Sequence, residues 1–165
     1  MMIRLQIARQ RIETARNYTL RFLDNTPLTD WSKIPAAGVS HIAWQVGHLA
    51  MAEYRLALER IRDRTDDDRR LISDEFLRAF ARESVPTSDL PFSVEMIRDT
   101  FNRVHQQVLT ESGSWTEDAL AAPALKPHPI VKTKLEALDW CANHELVHAG
   151  QIGLLRRQLG HSPLW

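Results

Sequence analysis

A chain of 165 residues is the size of one domain and long enough to bury a core without help from disulfides. Its 21 Lys and Arg equal its 21 Asp and Glu, which removes the electrostatic footprint of a nucleic-acid binder or a membrane-surface protein and leaves small molecules or proteins as the expected partners. The single cysteine, Cys141, excludes an intrachain disulfide and a thiolate metal cage, and fits a reducing cytoplasm. Charges interrupt every apolar run of the first residues, Ile3-Arg4-Leu5-Gln6-Ile7-Ala8-Arg9, so neither a signal peptide nor a spanning segment is expected there, and none is expected later.

Leu5, Ala8, Ile12, Ala15, Thr19 and Phe22 recur at spacings of three and four, the stripe of an amphipathic helix that ends before Asn25-Thr26-Pro27. Pro27, Pro35 and Gly38 mark residues 25–39 as a loop. Ser40 is placed to cap a second helix running to about Arg62, with His48 near its middle. From Glu59 to Arg70 charges dominate, and Asp66-Asp67-Asp68 has no apolar period to bury, so a solvated connection is expected there. Ser73 is a candidate cap for a short helix through Phe76, Leu77 and Phe80, closed off by Pro86 and Pro91.

Ile97, Phe101, Val104 and Val108 predict a third long helix from about Ser93 to Thr110, with Gly113 beyond its end. Ser114-Trp115-Thr116-Glu117 resembles a capping box for a short helical turn, which Pro123, Pro127 and Pro129 keep short. Thr133-Lys134-Leu135-Glu136 is a second capping box, and Gly160 followed by Pro163 supplies a stop, so a fourth long helix should span roughly 134–159. No period-two strand and no internal repeat is evident. The expected class is all-α, four long helices in a single domain over residues 1–165.

The chemistry concentrates on that fourth helix. His144-Glu145-Leu146-Val147-His148 places two imidazoles four residues apart, one above the other, where both can reach one divalent ion. The extended protease pattern would need Gly and His where Gln151 and Leu154 stand, and no Asp or Glu follows Glu145, so a third ligand must come from upstream. His48, inside the second helix, is the best candidate. Cys141, His144, His148, Gln151 and Leu155 share one face, which suggests that the face is buried. The alternative is that these histidines are core residues with satisfied hydrogen bonds. Three imidazoles on zinc leave a fourth position for water, an arrangement of catalytic rather than structural sites.

Glu145 stands about 100° round the helix from His144 and is the candidate catalytic carboxylate, although it could equally face solvent. Gln151 and Glu53 are candidates to orient ligands or water, and Cys141 reads as a small core residue. Gly47, Gly150 and Gly153 each cost a helix about 1 kcal/mol relative to Ala. Close packing of the second helix on the fourth would explain them and would bring His48 to the pair.

Trp44-Gln45-Val46-Gly47-His48-Leu49-Ala50 and His144-Glu145-Leu146-Val147-His148-Ala149-Gly150-Gln151-Ile152 resemble the two signature segments of the DinB/YfiT-like superfamily, and the resemblance covers nearly the whole chain. It implies an up-down-down-up four-helix bundle with a long crossover between helices two and three, for which residues 63–91 are long enough. It also implies a divalent metal, often zinc or nickel, on His48, His144 and His148, and often a homodimer. The better understood branches include metal-dependent transferases that use low-molecular-weight thiols, but a substrate does not carry over with a fold. Two functions follow as expectations. One is an enzyme of thiol S-transferase or hydrolase type, assisted by Glu145 or Gln151. The other is a non-catalytic, metal-stabilised interaction bundle in which His41, His105 or Cys141 closes the site as a fourth ligand.

Overall fold

The computed structural model describes residues 3–35 and 40–164; Gly38 of the predicted loop lies outside them. Among the described residues seven α-helices follow one another, the turn at Arg60–Arg62 being taken with the second. They are α1 (Ile3–Asp24), α2 (Ile42–Tyr54), α3 (Asp68–Leu71), α4 (Asp74–Ala79), α5 (Val94–Ser112), α6 (Glu117–Leu120) and α7 (Lys134–Gln158). There is no strand among the described residues, only a single bridge between Pro123 and Thr133. The class is all-α.

The four long helices form where an apolar stripe meets a cap. All six residues of the α1 stripe are buried, as are Ile97, Phe101, Val104 and Val108 of α5. Ser93 accepts from the Met96 N–H to start α5, and Thr133 and Glu136 exchange both bonds of a capping box at the start of α7. At the other end of α7 Gly160 takes φ 91°. The His161 N–H returns to the Arg156 carbonyl and the Gly160 N–H to that of Arg157, the pair of bonds that closes a helix through a left-handed residue.

α1 lies along α7, and α2 along both α5 and α7. Every residue of α2 except Trp44 is buried, so polar side chains on it, His48 included, must find partners inside the protein. Beyond Tyr54 the helix widens into a π-helical turn, Arg55–Glu59, before a last turn at Arg60–Arg62. Asp63 then leaves the helix at φ 70°.

Four local expectations change. α2 is capped by His41, whose Nδ1 accepts from the Trp44 N–H at 3.1 Å, while Ser40 Oγ accepts from Gln45 Nε2. The cap of α6 is Thr116, not Ser114. The acidic run is not wholly solvated. Asp68 is buried, because Arg62 donates to both its oxygens at 2.7 and 2.9 Å and the Tyr54 hydroxyl donates to it at 3.1 Å. The helical glycines do not join α2 to α7. A Cβ at Gly47 would run into the ring of Phe80, and one at Gly153 would stand 3.1 Å from that of Phe22, so they admit aromatic rings from the crossover and from α1.

The longest connection, residues 63–93, crosses from α2 to α5 and carries α3 and α4. Phe76, Phe80 and Phe92 cluster there and press this segment onto α2 beside His48.

Candidate metal centre

His48 comes from α2, and His144 and His148 come from consecutive turns of α7. Their ring centroids are 5.3 Å apart for His48–His144, 4.8 Å for His48–His148 and 4.5 Å for His144–His148. One nitrogen of each ring lies within 4.8 Å of those of the others, and among the described residues no fourth Cys, His, Asp or Glu joins the group. Two nitrogens bound to one ion at about 2.0–2.1 Å each stand no more than about 4 Å apart, so a small ring movement suffices to bring three donors onto one ion.

Hydrogen bonds fix which nitrogen is free. His48 Nδ1 lies 2.9 Å from the Phe80 carbonyl, which can only accept, so Nδ1 carries the proton and Nε2 the lone pair. Trp44 stacks on the same ring with centroids 4.9 Å apart and planes 14° from parallel, and its indole N–H donates to Ser84 Oγ. His148 Nδ1 lies 2.5 Å from Gln45 Oε1. Gln45 Nε2 is in turn tied to Ser40, so the amide presents its oxygen to the ring and Nε2 of His148 is left with its lone pair. Such outer contacts are what orient imidazole ligands on a metal.

Burial lowers the pKa of all three rings by disfavouring the charged form. For His144 burial, then the neighbouring His48 and His128, bring the value to about 4. For His148 burial, then His144 and His48, bring it to about 3. In His48 burial outweighs the opposing bond to Phe80. The protein therefore carries a histidine triad that could hold a divalent ion.

Glu145 faces another way. It is buried, and its two oxygens accept from Arg16 Nε at 2.8 Å and Nη2 at 3.3 Å. Arg16 also donates to Glu53 Oε2 at 2.7 Å, and Glu53 Oε1 accepts from His105 Nδ1 at 2.8 Å. The guanidinium rests on the Phe101 ring, 3.4 Å from its centroid. One residue from each long helix thus meets in a buried ionic cluster beside the triad. Burial raises the Glu53 pKa, but Arg16 and His105 outweigh it and leave the value lowered.

The other sequence candidates are also accounted for. Gln151 is exposed. Cys141 is buried with its thiol pushed well up by burial and by Glu53 and Glu145, and it donates weakly to the Ala137 carbonyl. His41 holds Trp44 and Thr87, and His105 holds Glu53. Gln45 was the residue missed. Its signal was spacing, since three positions before His48 it shares that residue's helical face.

His48 and His144 open onto a cleft of about 430 Å³ whose walls include Met51, Arg55, Arg60, Arg82, Ile130 and Trp140. A larger surface concavity of about 560 Å³, between Leu5, Arg9, Glu13 and Ser112, shares no residue with the triad. Proximity to the imidazoles, not size, selects the smaller one.

The model of the DinB superfamily matches residues 11–152, from α1 through most of α7. The chain belongs to the DinB superfamily. That match includes all three histidines, Gln45 and the Arg16–Glu53–Glu145 cluster. No curated protein and no solved structure matches the chain. DinB membership accords with the all-α fold and the histidine triad, and it leaves the reaction to be argued from the site. Among the described residues no helix is long and apolar enough to cross a membrane.

Proposed function

We propose that His48, His144 and His148 hold one divalent metal ion, zinc or nickel, through their Nε2 atoms, and that the protein is a cytoplasmic metal-dependent enzyme acting on a small molecule in the adjoining cleft. The observation that carries this reading is that the three donors converge, with no fourth protein ligand among the described residues, beside a cleft that reaches His48 and His144. His41, His105 and Cys141, the residues that could close the site, are each bonded elsewhere. A closed structural site would call for one of them.

A divalent ion on three imidazoles supplies a Lewis-acid centre with an exchangeable position, suited to activating a thiol or a water. The chain supplies the rest. Phe80 and Gln45 hold the Nδ1 protons of His48 and His148, so the opposite nitrogens stay available. Trp44 keeps the His48 ring from turning. Glu145 contributes by position, since its bond to Arg16 locks α7 against α1 one residue from His144. Met51, Ile130 and Trp140 exclude water from one side of the cleft.

Transfer of a low-molecular-weight thiol to an electrophile is the favoured reaction, and metal-assisted hydrolysis is the second. A pairing of two chains belongs to the same reading, supported by exposed Leu146, Val147 and Leu154 on α7. The test is to load untagged protein with zinc or nickel and assay thiols with electrophilic acceptors, then esters and amides, against His144→Ala. Turnover that needs both metal and His144 supports the enzyme. No turnover with any substrate, together with a fourth protein ligand on the bound metal, supports the non-catalytic bundle.

A further inference from the structure

The walls of the cleft beside the triad carry more arginines than carboxylates. Arg55, Arg60 and Arg82 line it, with Glu83 as the one carboxylate on its walls. Among the described residues the side chains of Arg55 and Arg82 make no hydrogen bond and no ion pair. Arg60 donates only to two backbone carbonyls, those of Arg55 at 3.0 Å and Pro127 at 3.3 Å, and its Nε is buried with no partner. The nearby Glu59 acts on Arg60 only through space, with its hydrogen bond going to Lys126 at 2.8 Å. Two arginines elsewhere show the contrast. Arg16 meets two carboxylates, and so does Arg62.

Backbone geometry supports the same inference independently. In an α-helix position 59 would lie one turn beyond Arg55, on the face that carries His48 and Ala52. The π-helical turn over Arg55–Glu59 adds a residue to that turn and brings position 60 there instead. It therefore exchanges a glutamate for an arginine on the wall of the cleft, and Arg60 Nη1 accordingly reaches the Arg55 carbonyl. π-helical turns are costly irregularities that occur frequently at functional sites. His128 adds a neutral donor. Its Nδ1 accepts from the backbone N–H groups of Ile130 and Val131, so in the neutral ring the proton sits on Nε2.

We propose that this cleft binds a small organic oxyanion, its carboxylate or phosphate group held by Arg55, Arg60 and Arg82 and its other end directed to the His48–His144 side of the triad. Guanidinium groups match both oxyanions through paired N–H bonds, and a volume of about 430 Å³ suits a small molecule. The flat wall of Trp140 and Ile130 suits an apolar or planar body between the two ends. That the far end is the reacting one rests on the metal reading above, whereas the anion site itself does not.

The test is calorimetric titration of metal-free and zinc-loaded protein with succinate, phenyl phosphate and inorganic phosphate, with neutral succinamide as control. Arginine Nε–H signals followed by NMR provide a second readout. One equivalent of succinate or phenyl phosphate should bind, shift the signals of Arg55, Arg60 and Arg82, and bind about tenfold or more tightly than succinamide. Whichever organic anion binds tighter identifies the group recognised. Arg55→Gln and Arg82→Gln should each lose about tenfold without changing the melting temperature, since neither side chain has a partner to lose. Arginine-dependent anion binding in a chain that takes up no metal would uphold the anion site and sink the metal reading. Succinamide binding as tightly as succinate, a double variant Arg55→Gln/Arg82→Gln that binds as tightly as the parent, or no organic anion bound at all would overturn the anion site.

Discussion

Gln45 Oε1 stands 2.5 Å from His148 Nδ1, so a side chain of α2 sets the ring of a residue on α7. The two are 103 positions apart in sequence. Through this contact the second helix contributes to the triad twice, once with His48 and once by turning His148. Loss of such an outer partner usually weakens metal affinity by about 10- to 100-fold. Gln45→Ala should fall in that range for zinc, as read by competition with a chelator, with one ion per chain still bound at saturation. An unchanged affinity would mean that His148 is oriented by packing alone.

The Phe80 ring stands where a Cβ of Gly47 would be, and Phe80 also supplies the carbonyl that holds His48. Gly47→Ala gains helix propensity of about 1 kcal/mol but forces a methyl into an aromatic ring in a packed interior. Overpacking of this kind costs about 1–3 kcal/mol. The net expectation is a less stable protein with weaker metal binding, measured by denaturant unfolding and by the same competition. A variant as stable as the parent would show that the crossover yields easily.

Arg16 is the one cation between two buried carboxylates, Glu53 and Glu145. Arg16→Met leaves both without it, and breaking a buried pair from one side costs about 3–5 kcal/mol. Glu145→Gln should cost less, because Arg16 keeps Glu53. The Glu53 pKa is lowered in the folded protein, so its stabilising contribution is complete above the unfolded carboxylate range and is lost as pH falls through the folded value. The stability deficit of Arg16→Met should accordingly be largest above the unfolded carboxylate range and shrink as pH falls, as read from denaturant midpoints at successive pH values. A deficit independent of pH would argue against the cluster's role.

The histidines give the metal-free protein a pH dependence of its own. His144 and His148 have values lowered to about 4 and about 3, so between these and the ordinary value of 6.5 the unfolded chain binds protons that the folded chain refuses. Stability therefore falls as pH drops from about 6.5 toward 4, by up to about 1.4 kcal/mol per pH unit for each such ring. His144→Ala should flatten the slope in that window, seen in denaturant midpoints at successive pH values. A parent protein with a flat profile there would contradict the burial of the triad.

Much of this was legible in the sequence because the signals were local. Caps at Ser73, Ser93 and Thr133 sit within a turn of the helices they start, and the stripes of α1 and α5 are buried as their spacing predicts. The triad was legible because i, i+4 geometry joins His144 to His148 and the first signature segment, Trp44–Ala50, supplies His48. What was not legible depends on partners and backbone turns that no spacing rule names. Glu145 turns inward because Arg16 stands 129 positions away. Asp68 is buried because Arg62, Tyr54 and Thr65 surround it. The π-helical turn at Arg55 has no compositional mark, so the arginine wall of the cleft could not be read in advance.

The central claim is that the three histidines hold one metal ion. Elemental analysis of untagged protein, loaded with zinc and then desalted, tests it most directly when His48→Ala, His144→Ala and His148→Ala are carried through the same steps. The parent should retain one equivalent per chain. Each variant should lose affinity by more than the about 10- to 100-fold expected of an outer partner such as Gln45. A parent that retains neither zinc nor nickel, or variants that retain zinc as the parent does, would contradict it.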